Sequence, residues 1–240
     1  MLTTVEEDLN YKTADHAARQ HDRYTWAKYA ITSRWLGAAT RGTKPVLANI
    51  GCGSGEYNQV AVDLGYDVIA CEPEKSAFDI AKTHEPRTSC SIANYGLFEL
   101  ADAGVQADFV VMHDVLEHIA DESGAVDAIE RVLKPGGRLV LSVPAGQWLF
   151  GYHDRMLGHY RRYNKPTLLH ALKRFQTLEC RYFGLSFLPV TYWYSKIVEK
   201  PYPMGQLSGV VDLSLRAVCA VESVVPAPLG TSLLIHAVRS

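Results

Sequence analysis

The sequence predicts an α/β fold with a doubly wound, seven-stranded, mostly parallel sheet, and three observations carry that expectation. Residues 46–50 form a short apolar run with branched side chains, bounded by Pro45 and by glycines at 51, 53 and 55, as a strand buried on both faces reads. Further runs at 67–71, 88–92 and 107–112 alternate with segments of helical apolar spacing, the pattern of repeated βαβ units. The 240 residues, 48% of them hydrophobic and 21% charged, suffice for one such domain with additions.

Taken in order, residues 14–40 read as a helix in which Tyr24, Trp26, Tyr29, Ile31, Trp35 and Leu36 are mixed with Arg19, Arg23, Lys28 and Arg34. That aromatic density suits packing against a sheet, or a lid with Tyr11, Tyr24 or Tyr29 reaching inward, and both can hold. After the glycine turn, 56–64 begin the first crossover helix, which Gly65 stops. Strand two ends at Glu72-Pro73, a helix follows over 75–83, and strand three covers 88–92. Strand four leads into His113–Ile119, which should line a pocket because ligands bind beyond the carboxyl ends of such strands. Ala125, Val126, Ile129, Val132 and Leu133 mark the next helix, and Pro135-Gly136-Gly137 turns into strand five, ending near Pro144. Strand six is expected at 177–187 and the last at 231–238.

The glycine turn limits the ligand. A dinucleotide site uses G-x-G-x-x-G with a pyrophosphate over the helix N-terminus. Here the sixth position is Glu56, a poor neighbour for phosphate and a better one for a cation. Gly51-Cys52-Gly53-Ser54-Gly55 resembles motif I of the class I methyltransferases, which bind S-adenosylmethionine (SAM). Asp114-Val115-Leu116-Glu117-His118 and Leu133-Lys134-Pro135-Gly136-Gly137 resemble the D-V-L-E-H and L-K-P-G-G segments of their small-molecule members. The resemblance covers residues 45–145 and implies a Rossmann-like methyltransferase fold, SAM as cofactor with S-adenosylhomocysteine as product, and a small-molecule acceptor. In that frame Gly51, Cys52, Gly53 and Gly55 shape the cofactor turn, while Glu72, with Pro73 beside it, takes the ribose hydroxyls. Ile92 meets the adenine edge and Asp114 borders the methionine end. The polar-Pro-Pro-Tyr segment of amide and adenine-amine methyltransferases is replaced by His-Asp-Val-Leu, and the paired-glutamate loop of arginine methyltransferases is missing, which argues against those substrates.

His118 is the first candidate for a general base, one helical turn beyond Asp114, since an imidazole titrates close to working pH. A purely structural role for it fits as well. His159 and His153 follow, in the block Phe150–Tyr163, which looks like the H-D-x-x-x-G-H-x-R-R-Y segment of a bacterial methyltransferase subgroup. The block is expected to be a loop above the sheet, ended by a helix starting near Pro166 with Leu168, Leu169, Leu172 and Phe175 on its apolar side. Either Asp154, Arg161 and Arg162 pair to hold the loop, or Arg155, Arg161 and Arg162, with Tyr24, bind an anionic or aromatic acceptor.

The expected organisation is an N-terminal helical lid over 1–43, a SAM-binding core over 44–187, a helical and aromatic insertion over 188–228, and the last core strand over 229–240. Within the insertion, a helix at 210–225 carries a broad apolar face and a narrow stripe of Asp212, Arg216, Cys219 and Ser223. Such a face must be covered, which suggests a cap or a homodimer element. A net charge of −2 argues against a broad nucleic-acid footprint. No run is long and apolar enough for membrane insertion, and the acidic start is no secretory signal. Five scattered cysteines without C-x-x-C spacing read as reduced thiols of a cytoplasmic protein. No metal is required. The expected function is SAM-dependent methyl transfer to oxygen, nitrogen or carbon of a small molecule of natural-product type. The rivals are a non-catalytic SAM-fold binding protein, a nicotinamide oxidoreductase and an RNA methyltransferase.

Overall fold

The computed structural model describes residues 22–86, 88–200 and 209–240, without the side chains of 209–211. Tyr11, Arg19 and the front of the expected lid lie outside the described residues, as do Pro201, Tyr202 and Pro203 of the insertion. Strands β1 (Val46–Ile50), β2 (Asp67–Cys71), β3 (Cys90–Ala93), β4 (Ala107–His113), β5 (Leu133–Pro144), β6 (Phe175–Phe183) and β7 (Ser232–Arg239) form one seven-stranded sheet. Their order is β3-β2-β1-β4-β5-β7-β6, with β7 antiparallel to both neighbours and the others parallel. The doubly wound, mostly parallel sheet expected from the sequence is the one observed.

Helices α1 (Arg23–Leu36), α2 (Glu56–Asp63), α3 (Lys75–Thr83), α4 (Leu97–Asp102) and α5 (Glu122–Val132) cover the two faces. Leu47, Val68, Ala70, Val111 and Val140 pack with Tyr29, Tyr57 and Ala81 of α1, α2 and α3. Ala48, Ile50, Val110, Met112 and Leu141 pack with Leu100, Val126 and Ile129 of α4 and α5. Covering both faces is why β1 reads as an unbroken apolar run instead of an alternating one.

Helix α1 starts at Asp22, whose carboxylate accepts the amides of Tyr24 and Thr25, each at 3.1 Å. Asp22→Ala should cost about 1 kcal/mol, read as a small drop in thermal midpoint.

Several boundaries differ from those the sequence suggests. The block 150–163 is not all loop: α6 (Tyr152–Leu157) is capped by Asp154, whose side chain accepts the Gly151 amide at 2.9 Å. The next helix, α7 (Lys165–Ala171), ends before Phe175, which instead opens β6. Leu133 and the Pro-Gly-Gly turn belong to β5, because Leu133 pairs with Ala107 across a register shift. Beyond β6 come α8 (Leu188–Tyr192), a π-helical turn (Trp193–Val198) and α9 (Gly209–Val224).

Helix α9 docks through most of its polar stripe: Cys219 and Ser223 are buried, and Asp212 takes Arg23 Nε of α1 at 2.9 Å, while Arg216 is exposed. Leu213, Val221 and Val224 are 68%, 61% and 68% exposed. Arg34 and Arg181 donate to the last-turn carbonyls at Ser223 and Glu222, so cations at a helix C-terminus fix the docking. Among the described residues no helix is long and apolar enough to cross a membrane.

Candidate active site

The carboxyl ends of β1, β2 and β4 converge on a cleft of about 730 Å³, within the size range of small-molecule sites. It runs from Gly53 and Glu72 past Asn94 and Leu97 to Asp114 and His118. Gly51 lies at φ +65°, and a Cβ there would sit 2.5 Å from Val115 Cγ2. The turn after β1 therefore passes directly against the segment after β4, which only glycine allows.

Glu72 directly follows β2 and is buried, yet it borders the cleft. Its Oε2 accepts the Gly53 amide at 2.8 Å and its Oε1 the Glu74 amide at 2.9 Å. One carboxylate thus ties the glycine turn to the start of the β2–α3 loop. Asn94 Nδ2 donates to the Glu72 and Pro73 carbonyls at 2.8 and 3.1 Å, closing the adjacent wall.

Three expected cofactor residues support the cleft without lining it. The Cys52 amide continues the strand ladder to the Cys71 carbonyl at 3.0 Å, and burial, with the charge of Glu72 adding to it, pushes its thiol well above the usual range. Gly55, at φ +88°, lets α2 pack on α3, since a Cβ would lie 3.2 Å from Ala81. Ile92 is core, with its amide on Glu85 Oε1 at 2.9 Å. In place of Ile92, the wall beyond β3 is made by Asn94, Leu97 and Phe98.

At the other end Asp114 adopts φ +54°, and its Oδ1 accepts Ser142 Oγ at 3.0 Å. Its Oδ2 pairs with Lys28 of α1, which is only 3% exposed. Sequence reasoning passed over Lys28; the signal is its four-residue spacing from Tyr24 and Thr32 on one face of an aromatic helix. Beside it His113 shares a 2.9 Å hydrogen bond with Thr32 Oγ1 and packs its ring against Tyr29 and Tyr57.

The three candidate histidines fall close together. His118, in the 3-10 turn Leu116–His118, lines the cleft. The His159 ring meets it edge to face at 4.5 Å, and His153 lies farther off, 6.5 Å from His159. The loop is drawn to the turn by the Tyr160 amide on the Glu117 carbonyl and by Arg161 Nη2 on the Ala120 carbonyl, both at 2.8 Å. Glu117, fully buried, completes a cluster in which one ligating atom each of Glu117, His118 and His159 lies within 4.8 Å of the others.

The arginines expected to hold an acceptor are engaged with acidic partners. Arg162 Nε bonds Asp154 Oδ1 at 2.7 Å, Arg155 reaches Glu199 at 3.2 Å, and Arg161 lies 3.6 Å from Glu122. Tyr24 does not line the cleft: its hydroxyl sits 2.6 Å from Thr231 Oγ1 and 2.8 Å from Ser232 Oγ, against Phe183 and Phe187. Within the loop the pairing is Asp154 with Arg162, while Arg161 reaches Glu122 and the Ala120 carbonyl outside it.

A nucleoside bearing a sulfonium fits this arrangement. The Glu72 and Asp114 carboxylates line the cleft, with Asn94 and Leu97 on the wall between them. A methyltransferase-domain family model matches residues 48–141. A ubiquinone biosynthesis O-methyltransferase of Nitrobacter winogradskyi is 33% identical over 177 residues, 72% of this chain and 67% of the relative. One of Cereibacter sphaeroides is 27% identical over 164 residues, and there the match spans 62% of this chain and 66% of the relative's length. In fold, the chain is similar to the N-methyltransferase NodS of Bradyrhizobium japonicum in complex with S-adenosylhomocysteine, at TM-score 0.58 and 16% identity over 90% of this chain and 87% of that one. It is also similar to a SAM-dependent methyltransferase of Mesorhizobium loti, at TM-score 0.59 and 15% identity over 92% and 100%.

Proposed function

This chain belongs to the class I SAM-dependent methyltransferase family, and from that premise we propose that it methylates a hydroxyl oxygen of a small molecule. The observation that carries the reading is one cleft with a buried carboxylate, Glu72, at one end and an imidazole, His118, at the other. When bound, SAM supplies a methyl group on a positively charged sulfur. Glu72 orients the nucleoside, and Asp114, held from behind by Lys28, borders the amino-acid end. Positioning of this kind supplies much of the rate in an in-line displacement. Val115, Ile119 and Leu157 give the acceptor end an apolar lining that limits water, and His118 takes the proton that the acceptor oxygen must lose.

Oxygen is favoured over nitrogen or carbon because the curated relatives above are named O-methyltransferases. A pyrophosphate ligand is disfavoured because Glu56 occupies the first turn of α2, where its carboxylate would repel phosphate. The test is incubation of the protein with methyl-labelled SAM and a metabolite extract. One compound is expected to gain a methyl on oxygen. Saturable SAM binding with no labelled product would instead identify a binding protein.

A further inference from the structure

Asp114 lines the cleft just beyond β4 with its backbone in the left-handed region, at φ +54°. A non-glycine residue keeps that conformation only where its surroundings hold it. Here two elements supply the hold. Ser142 of β5 donates its hydroxyl to Oδ1 at 3.0 Å and accepts the Asp114 amide on its carbonyl at 2.9 Å, while Lys28 of α1 pairs with Oδ2. One turn further along α1, Thr32 Oγ1 meets Nε2 of His113, the neighbouring cleft residue, at 2.9 Å. Lys28 itself lies behind the cleft wall, its side chain 4% exposed. An ammonium buried there is costly even when paired. Docking of α1 does not call for that cost, since Arg23 on Asp212, the Tyr24 hydroxyl on Thr231 and Ser232, and the Tyr29 ring on Tyr57 already fix the helix.

We propose that Lys28 is a positioning residue for the cofactor: acting through Asp114, it sets how the cleft recognises the amino-acid end of SAM and S-adenosylhomocysteine. This rests on the reading that places that end at Asp114. A carboxylate accepts strong hydrogen bonds from an α-ammonium, and it offers them at one fixed place only when neither oxygen can swing away. Lys28 and Ser142 hold one oxygen each. With Lys28 gone, one oxygen loses its anchor, and the strained φ relaxes and draws the carboxylate off the wall. The nucleoside end, at Glu72 on the far side of the cleft, is untouched by the change. The effect is therefore confined to ligands that carry an amino-acid end. A lysine that only braced α1 would not separate one ligand from another.

The test compares two ligands by calorimetry: S-adenosylhomocysteine, and 5′-methylthioadenosine, a nucleoside thioether without the amino-acid end. The wild type is expected to bind the first more tightly. Lys28→Met should weaken S-adenosylhomocysteine roughly tenfold, the worth of about one charge-assisted hydrogen bond, and leave 5′-methylthioadenosine within about twofold. If Lys28→Met does not fold, Ser142→Ala, which frees the other carboxylate oxygen, should narrow the same preference. An equal loss for both ligands, or an unchanged preference in folded Lys28→Met or in the Ser142→Ala that stands in for it, makes Lys28 a structural brace and overturns the proposal. Tighter S-adenosylhomocysteine binding by Lys28→Met also overturns it, since Lys28 would then only mask the carboxylate. A wild type that shows no preference, or binds neither ligand, overturns both the proposal and the placement of the amino-acid end at Asp114. No methyl acceptor enters the measurement, so absence of turnover would count against the proposed function alone.

Discussion

Glu72→Ala is expected to weaken SAM binding by roughly 100- to 1,000-fold. Two charge-assisted hydrogen bonds to ribose hydroxyls are worth about 3–4 kcal/mol together, and each 1.4 kcal/mol is about tenfold in affinity. The same change strips the acceptor from the Gly53 and Glu74 amides, so the turn loosens as the ligand contact is lost. Glu72→Gln keeps one carbonyl acceptor and should lose roughly tenfold. Isothermal calorimetry with SAM separates these outcomes. A thermal scan of the unliganded protein shows how much of each is loss of fold.

The second large effect is on stability. Asp154→Ala leaves Arg162 buried beside Gly151 and His159 without their shared acceptor. Breaking one partner of a buried pair costs about 3–5 kcal/mol, a drop of roughly 10 °C or more in thermal midpoint for a chain of this size. The pH dependence follows from the depressed carboxyl. A group whose folded-state value lies below its unfolded one, about 3.9 for aspartate, stabilises fully above the unfolded value and loses that contribution as pH falls toward the folded one. The stability difference between wild type and variant should therefore be flat near neutrality and shrink only below about pH 4. A difference that instead collapsed between pH 6 and 7 would point to a histidine as its source.

The glycine turn and the carboxylate beside it were legible in the sequence because their placement is local. A Cβ at Gly51 would sit 2.5 Å from Val115, and Glu72 directly follows β2. Asp114 and His118 were legible for the same reason, lying in one short segment beyond β4. The acceptor half was not, because its groups are fixed by partners distant in the chain. Arg155 is answered by Glu199, Arg161 by Glu122, and Lys28 by Asp114, 86 residues away. Tyr24 reads as a pocket aromatic until the hydroxyls of Thr231 and Ser232, 207 and 208 residues on, are brought to it. Helix α9 docks by its polar side: Arg23 on α1 holds Asp212, the Arg34 and Arg181 guanidiniums hold the last-turn carbonyls, and Leu213 and Val221 stay exposed.

Calorimetry on the purified chain tests most directly whether this cleft holds a sulfonium nucleoside. Saturable one-to-one heats are expected for SAM and S-adenosylhomocysteine, with none for NAD. Saturation by NAD with no heat from either sulfur nucleoside would contradict the account.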